Sequence, residues 1–142
     1  MSKYLVKYHS NYADEMMVEG FKIYDSKTNF ENDIQNILDE NCNIPIEEFI
    51  TEIIEEAVER YEEEQDEYNN IEELIEYEYS EVFKFKNKFY FSDFEIYIGT
   101  NESIEYSTIK DFLEDFECIE ISNEAAEQIK KMFGTKFGIF PF

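Results

Sequence analysis
The sequence predicts an α+β fold: a single domain, residues 1–142, in which an antiparallel sheet of about five or six strands carries helices packed on one face. Three observations lead there. Stretches toward both ends of the chain alternate apolar and polar residues, whereas residues 46–82 repeat apolar residues every three or four positions. Hydrophobic residues make up 43% and aromatics 18% of the chain, a composition that supports a core and argues against an acidic disordered polymer. No internal repeat and no linker rich in Pro or Gly divides the sequence.

Taken in order, residues 4–8 (YLVKY) and 16–24 (MMVEGFKIY) read as strands of a hairpin joined by the polar NYADE segment. Gly20, inside the second, marks a bulge or a close backbone approach. Ser26 or Thr28 then caps a helix with Phe30, Ile34, Ile37 and Leu38 on one side, ending near Asn41. Pro45 suits the first turn of a long acidic helical segment, residues 46–80. Its core stripe is Ile46, Phe49, Ile50, Ile53, Ile54, Ala57, Val58 and Tyr61. Asn69-Asn70 is a candidate break, after which Ile71, Leu74 and Ile75 resume the stripe; Tyr61, Gln65, Tyr68, Ile71 and Ile75 also read as one uninterrupted face.

Period two returns in VFKFKNKFYFS from Val82, with a turn expected at Asn87-Lys88, and in FEIYIG, ending at Gly99. TNES reads as a turn and IEY as a short further strand. Ser107 is placed to cap a helix carrying Ile109, Phe112, Leu113 and Phe116, followed by the short strand CIEI. Ser122 or Asn123 opens a last helix through Ala125, Ala126, Ile129 and Phe133, stopped by Gly134. The tail TKFGIFPF is apolar enough to dock back on the body.

Charge is the least ordinary property. Thirty-five Asp and Glu oppose 12 Lys and Arg, a formal net charge of −23. The acid is a block: residues 47–81 hold 16 carboxylates and one cation, Arg60, while seven of the 11 lysines lie in the expected strands or their turns on either side of it. Such a field repels nucleic acid and anionic membranes, so direct binding to either is excluded. No apolar run approaches the roughly 20 residues that span a bilayer, and the N-terminus lacks a signal-peptide core, so a cytosolic protein is expected.

Chemistry is sparsely indicated. His9, the single histidine, lies in an alternating strand and reads as a surface or half-buried residue. No GxxxxGK[ST], GxGxxG or HExxH occurs, so no cofactor is expected. Asp39, Asn41 and Asn43 match the first three ligand positions of a calcium loop, but Ile44 replaces its turn glycine and Ile50 its bidentate glutamate, so no metal is expected. Cys42 and Cys118 form no CxxC pair and read as reduced, partly buried thiols. Pairs among 35 carboxylates are too easily drawn to indicate acid–base catalysis. The expectation is a protein that is not an enzyme.

The acidic segment itself supports a quantitative comparison. Eleven carboxylates lie between Glu47 and Glu67. As a helix this span rises about 30 Å, one carboxylate per roughly 3 Å, against one phosphate per roughly 3.4 Å of a DNA strand. Like charges at i,i+4, such as Glu48 and Glu52 or Glu55 and Glu59, each cost a few tenths of a kcal/mol, a cost that interleaved lysines would remove. The candidate partner-binding residues are therefore Glu47, Glu48, Glu52, Glu55, Glu56, Glu59, Glu62, Glu63, Asp66, Glu67, Glu73 and Glu76. Tyr61, Tyr68, Tyr77 and Tyr79 are candidate apolar anchors among them.

In composition, size and this Glu-rich helix the chain resembles the small acidic counter-defence proteins of phages and mobile elements, the DNA-mimicking anti-restriction and anti-CRISPR proteins. The resemblance implies a non-enzymatic inhibitor in the cytoplasm of a bacterial host. Its partner would be a basic nucleic-acid-binding protein, whether CRISPR effector, restriction enzyme or nuclease, with homodimerisation as a further option. Two other expectations stay open beside it: an immunity protein for a nuclease toxin, and an acidic adaptor or regulatory interaction module.

Overall fold
The alternating N-terminal residues pair as a long hairpin, β1 (Ser2–Tyr12) with β2 (Met16–Tyr24), in a computed structural model that describes residues 2–12, 16–63, 67–98 and 102–142. Residues 13–15 and 99–101, with Gln65, lie outside the described residues, and with them the centres of the expected NYADE and TNES turns. Then follow α1 (Lys27–Asn41), α2 (Glu47–Glu63), α3 (Ile71–Glu78), β3 (Val82–Phe85), β4 (Lys88–Phe91), β5 (Phe94–Ile98) and β6 (Glu102–Tyr106). The chain closes with α4 (Ile109–Glu114), β7 (Phe116–Ser122), α5 (Asn123–Phe133) and β8 (Lys136–Gly138). The class is α+β and every strand pairing is antiparallel, as expected.

Two details of the architecture differ from expectation. The described strands form not one sheet but three: a four-stranded sheet in the order β7-β1-β2-β8, and the separate hairpins β3-β4 and β5-β6. Nor do the helices share one face. Tyr24 meets Phe30 of α1 on one side of the sheet, whereas Phe21, one residue round from Lys22 and on the other side, meets Phe133 of α5 with ring centroids 6.1 Å apart. The reason is in the strands: both faces of β1 and β2 carry apolar side chains, with Val6, Tyr8 and Tyr24 on one and Leu5, Phe21 and Ile23 on the other, so both need cover.

Two apolar cores result. Val6, Tyr8, Tyr24, Ile34, Leu38, Tyr90, Phe94, Tyr106, Ile109, Phe112 and Phe140 fill the larger one, between the sheet, α1, α4 and the β5-β6 hairpin. Ile53, Ala57, Leu74, Ile75, Tyr79 and Val82 fill the smaller one, which binds α2 to α3. The β3-β4 hairpin is the wall between them. Its alternation sends Phe83, Phe85 and Tyr90 into the first core and Val82, Phe89 and Phe91 into the second. That double duty explains why VFKFKNKFYF is so aromatic on both faces.

Local signals place most boundaries. Ser26 Oγ accepts from the Asn29 N–H at 3.1 Å and opens α1. Gly134, at φ 83°, follows α5 and donates its N–H to the Lys130 carbonyl. Four sequence expectations shift by a residue or so. Thr108, not Ser107, caps α4, accepting from the Asp111 N–H at 3.1 Å; Phe116 belongs to β7 rather than to that helix. The β3-β4 loop is Lys86-Asn87, because Phe85 pairs with Lys88. Pro45 precedes α2, which starts at Glu47.

The break at Asn69-Asn70 is present, and it is a cap. Asn70 Oδ1 accepts from the Glu73 N–H at 2.7 Å, while the Glu73 carboxylate accepts from the Asn69 N–H at 3.1 Å. Replacing Asn70 by Ala removes the side-chain half of that exchange. Urea unfolding is expected to show a loss of about 1 kcal/mol, with the helical circular dichroism retained.

Candidate acidic docking face
The core stripe of α2 is narrower than its sequence spacing indicates. Ile53 and Ala57 are buried and Phe49, Ile50 and Tyr61 half-buried, but Ile46, Ile54 and Val58 are 67%, 41% and 37% exposed. The cause is that α3 and Phe91 of β4 pack only on the side that carries Phe49, Ile53, Ala57 and Tyr61, and Ile54 and Val58 lie about 100° round the helix from it. Opposite lies the acid. At about 100° per residue, Glu48, Glu52, Glu55, Glu56, Glu59, Glu62 and Glu63 fall within an arc of about 120°, and Glu47 lies beside Ile54 and Val58 on its border. Arg60 falls on the side that faces α3 and, though exposed, reaches across to it, Nη1 donating to Glu78 at 3.1 Å with its guanidinium 5.9 Å from the centre of the Tyr79 ring.

The cations of the molecule divide the acidic block into two parts. On α3 the carboxylates are engaged: Glu76 by Lys110 at 2.9 Å, Glu72 by Lys84 at 3.7 Å, and Glu78 by Arg60 and by the Tyr68 hydroxyl. The Tyr68 hydrogen bond, then Arg60, holds the Glu78 carboxyl below its ordinary range, and Glu76 holds the Lys110 ammonium above its own. Glu73 is the cap partner described above, and Glu56 of α2 accepts the Tyr79 hydroxyl at 3.1 Å. Glu56, Glu73 and Glu76 therefore have structural roles and leave the set of freely presented carboxylates.

By contrast, Glu47, Glu48, Glu52, Glu55, Glu59, Glu62, Glu63 and Glu67 are exposed, and no ion pair or hydrogen bond joins the carboxylate of any of them to another described residue. Asp66 lies outside the described residues. Helix α2 carries eight carboxylates in 17 residues, a rise of about 25 Å, so the spacing of about 3 Å persists in the folded helix. Among the four tyrosines only Tyr77 is largely exposed, with Lys110 over its ring at 5.6 Å. Tyr79 is core; Tyr61 and Tyr68 are half-buried, and Tyr61 donates to the Asn69 carbonyl at 3.1 Å.

The other candidates have local explanations. His9 is an exposed strand residue whose Nδ1 lies 3.0 Å from Glu19. Tyr106 donates to Asp115 at 2.8 Å and lies 2.5 Å from the Tyr8 hydroxyl; burial first raises the pKa of both phenols, which therefore stay protonated. Asp39 does not face an open loop, because Lys88 at 2.8 Å and the Tyr90 hydroxyl at 2.7 Å both bond its Oδ1. Asn41 bonds back to the Ile37 carbonyl. Cys42 is buried, its thiol pushed up to about 11 by desolvation, whereas Cys118 is exposed rather than partly buried. Among the described residues no group of three or more His, Cys, Asp or Glu is arranged to hold a metal ion, and no helix is long and apolar enough to cross a membrane.

The Lys88 hydrogen bond first, then that of Tyr90, lowers the Asp39 pKa. A depressed folded-state pKa gives stability that is complete above the unfolded value, about 3.9 for Asp, and lost as pH falls through the lower folded value. Asp39→Asn should thus be less stable than the parent at pH 6. The gap should narrow below about pH 4, as read by urea midpoints across that range.

No protein-family model matches the chain, and neither does any curated protein or solved structure in the comparisons made. The fold and site define an α+β protein in which α2, packed on α3, presents a face of carboxylates that pair with no described cation.

Proposed function
We propose that this protein is a non-enzymatic inhibitor, of anti-CRISPR or anti-restriction kind, that mimics nucleic-acid charge and occupies the DNA- or RNA-binding channel of a basic target in the cytoplasm of a bacterial host. One observation carries the reading. The molecule directs Lys84, Lys110 and Arg60 to the carboxylates of α3, and among the described residues those of α2 pair with no cation, at a spacing close to that of phosphates. An acidic face that served only solubility would gain stability from interleaved lysines. A basic groove supplies the missing countercharge and releases its own bound anions on contact.

Exposed Ile54 and Val58 on the border of the arc add an apolar contact that phosphate lacks, which favours a protein groove as the receiving surface. Affinity capture on the immobilised protein from a bacterial lysate, with and without excess duplex DNA, tests the proposal. Captured proteins should be basic nucleic-acid binders released by the DNA. Retention of every captured protein in the presence of DNA contradicts it.

A further inference from the structure
The four-stranded sheet has two edges, and they are protected unequally. Edge strand β7 exposes Glu117 and Glu120, so a second strand of this acidic chain is repelled there. Edge strand β8 has no carboxylate; from Thr135 to Ile139 its one charged residue is Lys136. Large apolar side chains lie along the same edge: Phe137 and Ile139 are exposed, as is Phe133 of α5 against Phe137, and Phe137 is 51% accessible although its ring touches Phe21 and Phe133.

The hydrogen-bond alternation of β8 fixes which backbone groups are available. Ile23 N–H donates to the Thr135 carbonyl and Ile139 N–H to the Glu19 carbonyl, both at 2.9 Å, so Thr135, Phe137 and Ile139 direct their backbone toward β2. Lys136 and Gly138 therefore direct theirs away from the sheet. We infer that β8 is a homodimerisation edge, on which β8 of a second copy adds antiparallel about a two-fold axis at Phe137.

In this register Lys136 of each copy lies opposite Gly138 of the other, where no side chain obstructs the lysine. The two Phe137 residues form the close, non-hydrogen-bonded pair at the axis, and their rings cover one another. The interface is isologous and closes at two copies, joining the sheets into one of eight strands. The paired residues belong to β8 and none to α2.

Sedimentation of the full chain at roughly 100 µM and about 0.15 M salt tests this, since the mass should be twice 17.1 kDa. Lys136→Pro removes an outward N–H that the monomer does not use. That variant should sediment as a monomer with unchanged circular dichroism. Phe137→Cys, in a Cys118→Ser background, should cross-link to a covalent dimer on mild oxidation, because the paired Cα atoms at the axis suit a disulfide. A wild-type monomer at this concentration overturns the inference, as does a Lys136→Pro variant that folds and still dimerises. If Lys136→Pro fails to fold, the cross-link decides, and its absence overturns the inference. Glu→Gln changes on α2 should leave the mass unchanged, so this result and the partner capture fail independently.

Discussion
Changing Glu52, Glu55, Glu59 and Glu62 together to Gln is expected to weaken binding to a DNA-displaceable partner by roughly a hundredfold, at about 0.5–1 kcal/mol for each lost contact. The fold should be untouched. All four side chains are exposed and unpaired among the described residues, and Gln keeps the size and helix propensity of Glu. Stability should in fact rise. The substitutions relieve the like-charge pairs Glu48–Glu52, Glu52–Glu56, Glu55–Glu59 and Glu59–Glu63, worth about 1 kcal/mol together, or roughly 3 °C in melting temperature. Opposite signs for stability and binding separate a functional face from a structural one. Changing Glu56, Glu73 and Glu76 to Gln makes the contrast, because those carboxylates bond Tyr79, Asn69 and Lys110: stability should fall and binding change little.

Gly20→Ala should be the most damaging single-methyl change in the sheet. Gly20 pairs with Tyr8 in β1 and with Gly138 in β8, in a register without a bulge. A Cβ there would lie 2.1 Å from the Ile139 carbonyl oxygen, a backbone atom held by the Ile139 N–H bond to Glu19. The tail must lift off. With it go Phe140, buried in the larger core, and Phe142, stacked on Phe116 at 5.4 Å. Losing that burial costs about 1.5–3 kcal/mol per ring, so urea unfolding should show a deficit of roughly 3–5 kcal/mol. Deleting residues 139–142 should cost about as much, and the two changes should not add, since both remove the same contacts. A Gly20→Ala variant within about 1 kcal/mol of the parent would mean that the tail is not held as described.

Gly20 and the apolar tail were each legible as local signals, one for close backbone approach and one for docking. The sequence did not disclose that the two meet each other. The same division runs through the fold. Ser26, Asn70 and Gly134 mark their helix ends because caps are made within four residues. The division of strands into three sheets depends on which strands pair, and the aromatic alternation of residues 82–91 fits an edge of one sheet as well as a wall between two cores. Ile46, Ile54 and Val58 share the helical spacing of Ile53 and Ala57. Which of them are covered depends on where α3 and the β3-β4 hairpin pack against α2.

The candidate site was legible as a region and not as a surface. Sixteen carboxylates against Arg60 identified residues 47–81, but the cations that neutralise α3 arrive from β3 and α4. Their arrival leaves the uncompensated charge of the described block mainly on α2. The corrected face comprises Glu47, Glu48, Glu52, Glu55, Glu59, Glu62 and Glu63, with Glu67 beyond the end of the helix.

The salt dependence of partner affinity tests charge mimicry most directly. If about six to eight of these carboxylates replace phosphates in a basic groove, affinity for the captured partner should fall by roughly a thousandfold or more between 50 and 200 mM salt, and the quadruple Gln variant should have a visibly shallower slope. An affinity unchanged across that range, or a slope that the four substitutions leave as steep as before, contradicts the account.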